Sequence, residues 1–134
     1  MNTDATPASK KSLWAGRIIS LVPTLFLLMD AGMKLAKAKV VVDTTVQLGY
    51  SESVIFPLGL VLLVCTCFYA IPRTSVFGAI LLTGYLGGAV ATHVRVGADL
   101  FSITFPVIFG CLIWLGLFLR DSRLRALVPL RAIQ

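Results

Sequence analysis

The sequence predicts an all-α fold: an integral membrane bundle of four helices running alternately up and down. Three observations carry that expectation. First, 57% of the 134 residues are hydrophobic before any glycine is counted, and only 13% are charged. A soluble domain is roughly 45–50% apolar with glycine included, and about 25% charged. A chain this short has too much surface for its volume to bury the excess, so the excess faces lipid. Second, four apolar runs recur, at about 13–33, 54–71, 76–94 and 103–119. Each is close to the ~20 residues a helix needs to cross a ~30 Å hydrocarbon layer. Third, no run alternates polar with apolar residues as a membrane barrel would, and an open sheet would leave backbone groups unpaired in lipid.

In chain order, residues 1–12 are polar and include Pro7 and Ser9, which predicts a disordered N-terminus. The first span, from Leu13 to about Met33, carries Arg17 near its start and Asp30 near its end. Lys10, Lys11 and Ala36-Lys37-Ala38 also fit a cleaved signal peptide. The apolar run is too long for one and contains an acid, so a retained span is expected. The connection from Lys34 to Tyr50 mixes Val40, Val41, Val42, Val46 and Leu48 with Lys and Asp. Either a short amphipathic or re-entrant piece at the interface or a plain loop fits it. Ser51 is placed to cap the second span. Ile71-Pro72-Arg73-Thr74 turns into the third, because Pro fixes its own backbone and disfavours helix before it. Val96-Gly97-Ala98-Asp99 leads into the fourth. Such short turns force antiparallel neighbours. Residues 120–134 form a basic tail that begins Arg120-Asp121-Ser122-Arg123-Leu124-Arg125.

The net charge of +6 is arranged as flanks to apolar runs, not as a stripe. That predicts orientation and contact with anionic lipid heads, and no nucleic acid as partner. With both termini inside, Lys10, Lys11, Arg17, Arg73, Arg120, Arg123, Arg125 and Arg131 lie on the inner side. Lys34, Lys37, Lys39 and Arg95 lie outside. The excess places both termini in the cytoplasm of a multi-pass protein of the bacterial inner membrane.

The chain holds no dinucleotide fingerprint, P-loop, C-x-x-C or H-E-x-x-H motif. Cys65 and Cys67 sit about 200° apart on one helix and cannot bond each other, and a buried Cys commonly acts as a small hydrophobe. No metal site and no cofactor is evident. Polar residues at membrane depth are the better lead. Asp30 and Lys34 are one turn apart, the acid first, so they can pair directly. A local ion pair that eases insertion explains them, and so does a charged group facing the bundle interior. In the third span, Ala79, Thr83, Gly87 and Ala91 form one row of small residues; Gly84, Gly88 and Thr92 form the next. Such rows let another helix approach closely, within the bundle or between protomers. Tyr85 and His93, the one histidine, stand two turns apart on one face. The topology gathers Asp30, Lys34, Tyr85, Thr92, His93 and Arg95 toward the outer end. There they are candidate ligand-binding residues, with His93 or Tyr85 expected as a second partner for Asp30.

Tyr69-Ala70-Ile71-Pro72-Arg73-Thr74, the run Gly78 to Ala89, and Thr92-His93-Val94-Arg95 together resemble the DoxX-like family of small bacterial membrane proteins. Leu119-Arg120-Asp121, Leu124-Arg125-Ala126-Leu127 and Pro129 are similar to its tail. Asp30, Lys34, Leu48-Gly49-Tyr50 and Leu58-Gly59 match its first half. The resemblance covers about residues 15–130 and implies four membrane helices. The family takes its name from a relative associated with a quinone-reducing sulfur oxidoreductase. Many relatives carry a Glu in the second span. Leu60-Val61-Leu62-Leu63-Val64 holds no acid here, which argues against catalysis. The leading expectation is therefore a non-enzymatic inner-membrane protein that binds a lipid-like molecule or a partner membrane protein. The alternative is an accessory subunit of a membrane oxidoreductase near the quinone pool, with Asp30, Tyr85 and His93 on a quinone head. A small transporter is disfavoured by four helices without a visible repeat, an objection that a homo-oligomer would soften.

Overall fold

In the computed structural model, which describes residues 7–127, helix formation starts at Ser9. Its hydroxyl accepts the Ser12 amide and caps α1, Lys10–Leu35. The first span thus begins three residues before the expected Leu13, and Lys10 to Ser12 are helical where disorder was expected. Residues 1–6 of that predicted disordered segment lie outside the described residues. At 1.5 Å per residue, α1 is about 39 Å long. It is longer than the ~30 Å hydrocarbon layer, so its lysine-bearing ends can reach the headgroups. The connection resolves as a helix, α2, Lys39–Gln47, so the amphipathic reading replaces the plain loop. Lys37 (φ 51°) and Gly49 (φ 88°) reverse the chain at its two ends.

A single 3-10 turn, Glu52–Val54, capped by Ser51, leads into α3, Ile55–Ala70. Then come α4, Ser75–Arg95, and α5, Leu100–Arg120. The Asp99 side chain accepts the Ser102 amide and starts α5 three residues before the expected Ile103. Part of the predicted tail is also helical. Asp121 accepts the Arg123 amide and opens α6, Ser122–Leu127; residues 128–134 lie outside the described residues.

Four of these helices are long and apolar enough to cross a membrane. α1 and α4 each pack against α3 and α5, so the four make a square with α1 and α4 on one diagonal. The core contains Leu27 and Ala31 of α1, Leu62 and Tyr69 of α3, Leu82 and Leu86 of α4, and Phe109, Ile113 and Leu117 of α5. Tyr69 is fully buried. Its hydroxyl donates to the Ile113 carbonyl at 2.9 Å and pairs with the Ser20 hydroxyl at 3.0 Å, tying α3 to its neighbour α1 and, across the diagonal, to α5. The opposite faces are apolar too. Trp14, Ile18, Leu21, Val22, Leu25 and Met29 are each more than half exposed. A continuous exposed apolar face of that extent requires a lipid solvent. The molecule is a small multi-pass membrane protein.

Glycines set the closest helix contacts, but not the ones expected. A Cβ on Gly116 would overlap Ser20 of α1, and one on Gly78 would overlap the Tyr69 backbone. Around Gly84, Gly87 and Gly88 there is nothing within 4 Å. The expected approach of a helix to that row is therefore corrected within this chain. Of the row, Ala79 is fully buried and Thr83 accepts the Trp114 indole N–H at 2.8 Å, while Ala91 is exposed. The physical reason is the turn between α3 and α4. It brings the two helices together at Gly78, and their diagonal partners stay apart farther along.

Candidate functional site

That separation leaves a cavity of about 610 Å³ at the α2 end of the bundle. Phe26 and Leu27 of α1, Leu58 of α3, Leu86 of α4, and Phe105 and Phe109 of α5 form its apolar part. The three phenylalanines touch one another: Phe26 and Phe109 have ring centroids 4.7 Å apart, and Phe105 and Phe109 4.8 Å. Pro106, inside α5, also lines it. Gly84, Gly88 and Ala89 form the α4 wall, so the small residues there make space instead of a helix contact.

The polar part holds Asp30, Lys34, Tyr50, Tyr85, Thr92 and His93. Asp30 and Lys34 pair across one turn of α1 at 2.5 Å, with side chains 28% and 14% exposed. Gly59 of α3 makes room for the lysine stem, since a Cβ there would lie 2.7 Å from the Lys34 Cβ. The Thr92 hydroxyl donates to the Gly88 carbonyl at 2.8 Å and lies 2.9 Å from the Tyr50 hydroxyl. His93 Nδ1 is 2.7 Å from the Ala89 carbonyl one turn back. Above them, Val40, Val41, Thr44 and Thr45 of α2 close the end of the cavity. Both threonine hydroxyls are spent on carbonyls of their own helix.

Five of the six candidate residues thus line one cavity: Asp30, Lys34, Tyr85, Thr92 and His93. Arg95 does not. It is exposed at the last turn of α4, and its guanidinium donates to the Leu48 carbonyl at 2.6 Å. There it reaches the turn after α2 instead of the bundle interior. Gly49 lets it in: a Cβ at this positive-φ position would lie 3.1 Å from an Arg95 nitrogen. The expected second partner for Asp30 is also corrected. Neither Tyr85 nor His93 bonds to it, because α1 and α4 face each other across open space and His93 is committed to Ala89.

Sequence reasoning missed Tyr50, the phenylalanine wall and the role of α2. A signal for α2 was present: Val41, Thr44, Thr45 and Leu48 are spaced i, i+3, i+4, i+7, one face of a helix. The wall had none, since Phe26 and Phe105 lie in apolar runs where hydrophobic residues occupy every face. Among the described residues no group of three or more His, Cys, Asp or Glu converges as metal ligands would. Cys65 is buried, Cys67 and Cys111 are exposed, and all three are free thiols.

A four-helix membrane bundle with a cavity that is polar at one end and aromatic at the other defines the class of this protein. The chain belongs to the DoxX-like family, whose model matches residues 18–116. The match takes in every residue of the cavity. No curated protein and no solved structure matches the chain.

Proposed function

We propose that this protein holds one lipid-like molecule, with its polar head among Asp30, Lys34, Tyr85, Thr92 and His93 and its apolar tail against Phe26, Phe105 and Phe109. The observation that carries this reading is the shape and lining of the 610 Å³ cavity. Small-molecule sites have volumes of roughly 300–1,000 Å³, mostly apolar walls and a few convergent polar groups. An intramembrane ion pair facing such a space is a functional lead in its own right. The excess of Lys and Arg at the opposite end supports a bacterial inner-membrane location with both termini in the cytoplasm, so the cavity lies toward the periplasm. An accessory role beside a membrane oxidoreductase would use the same cavity, since a quinone is also an apolar tail with a small polar head.

Purification in a mild detergent followed by native mass spectrometry tests the reading. One amphipathic molecule per chain should co-purify and survive delipidating washes. A chain that stays folded and carries nothing, even after incubation with total membrane lipid, would refute it.

A further inference from the structure

We propose that the occupant of this cavity carries a hydroxyl head, a group that donates and accepts at once, in preference to an acceptor-only or a cationic head. The inference rests on the lipid-binding reading above and narrows its chemistry. It follows from the hydrogen-bond capacity left over at the polar end. A carbonyl only accepts, so the contact of His93 Nδ1 with the Ala89 carbonyl puts the proton on Nδ1. In the neutral ring Nε2 is then a bare acceptor. Asp30 spends Oδ2 on Lys34, and its Oδ1 has no partner among the described residues. These two acceptors come from opposite walls, α1 and α4, of the same cavity.

Donors face the same space. The Lys34 ammonium keeps two N–H groups beyond the one given to Asp30. Tyr85, unlike Tyr50 and Tyr69, has no hydrogen bond to the described residues. A head that only accepts satisfies Lys34 or Tyr85 but strips water from Asp30 Oδ1 and His93 Nε2 without replacing it, which loses affinity. An ammonium head satisfies those acceptors but brings a second positive charge beside Lys34 and leaves the donors unanswered. A hydroxyl answers both kinds of group, and the aromatic wall suits a ring or chain behind it.

Three probes of nearly equal size separate these cases: 4-nonylphenol, its methyl ether, and 4-nonylbenzylamine. Each is titrated calorimetrically into the full chain in detergent micelles, with empty micelles as the blank. The phenol should bind about tenfold tighter than the ether, the equivalent of one buried hydrogen bond, and tighter than the amine. His93→Phe should narrow the gap between phenol and ether, because the phenol loses an acceptor and the ether no longer strips water from Nε2. Equal binding of phenol and ether overturns the hydroxyl-head inference and leaves the binding reading standing; so does an amine that binds tightest. No binding by any probe overturns the binding reading itself. The comparison on the unaltered protein decides alone, even where the His93 variant does not fold.

Discussion

Asp99 shows how a polar residue at a span boundary does local work. Its carboxylate accepts the Ser102 hydroxyl at 2.7 Å and the Ser102 amide at 3.2 Å. Those bonds, the hydroxyl first, hold its pKa below the ordinary carboxylate value. A depressed folded-state pKa means that the cap stabilises fully above the unfolded value, about 3.9. That contribution is lost as pH falls through the lower folded value. In a pH titration followed by NMR, the Ser102 amide should shift with a midpoint below that of a free aspartate. Asp99→Asn should abolish the shift; a midpoint at or above the free value would contradict the cap. Asp30, by contrast, lies at membrane depth. The pair with Lys34 answers one carboxylate oxygen, and the other has no partner among the described residues.

At the scale of elements, α4 divides into two functions along its length. Near the α3 turn, Gly78 admits the Tyr69 backbone and sets the crossing. Farther on, Gly84 and Gly88 have no neighbour within 4 Å and line the cavity. Gly78→Leu should therefore lower the stability by about 1–3 kcal/mol or more through overpacking, seen as a lower melting temperature in detergent. Gly84→Leu and Gly88→Leu should melt like the parent but lose the co-purifying molecule, because the new side chain fills its space. Equal melting of the Gly78 and Gly84 variants would show that the close approach has been misplaced. α2 is the other element that shapes the cavity. It is held over the cavity by the Arg95 bond to the Leu48 carbonyl and by the Tyr50–Thr92 pair, both made at its C-terminal side.

At the scale of the molecule, the two ends of the bundle differ in chemistry. One end gathers Asp30, Lys34, Tyr85, Thr92 and His93 around the cavity. The other carries Arg120, whose guanidinium lies 5.2 Å from the centre of the Tyr69 ring, with Arg73 in the α3–α4 turn and Arg123 and Arg125 just beyond. The imbalance of basic residues predicts that this arginine-rich end faces the cytoplasm. Alkaline phosphatase, active only in the periplasm, should stay silent when fused after Gln134. Fused after Gly97 in the opposite loop, it should report strongly. The reverse pattern would invert the topology and put the cavity on the cytoplasmic side.

Class, span number and order were legible in the residues themselves. Apolar excess, run length and turn chemistry are local or additive properties, and lipid solvent makes helix the one economical choice for each run. The i, i+4 spacing of Asp30 and Lys34 made their pairing readable, and alternation of direction placed Tyr85, Thr92 and His93 at the same end. Arg95 belonged to that end as well, but its long side chain had a free choice between cavity and turn. Only the fold, by bringing Gly49 beneath it, decided for the turn. The glycine row of α4 was ambiguous for a similar reason. A small residue permits close approach without requiring it, and whether a helix or a void stands opposite depends on how the diagonal pair is spaced by the helices between. The cavity is a property of that spacing. Phe26, the Phe105–Phe109 pair and α2 meet around it from three separate stretches of chain, and no single stretch contains the distance between them.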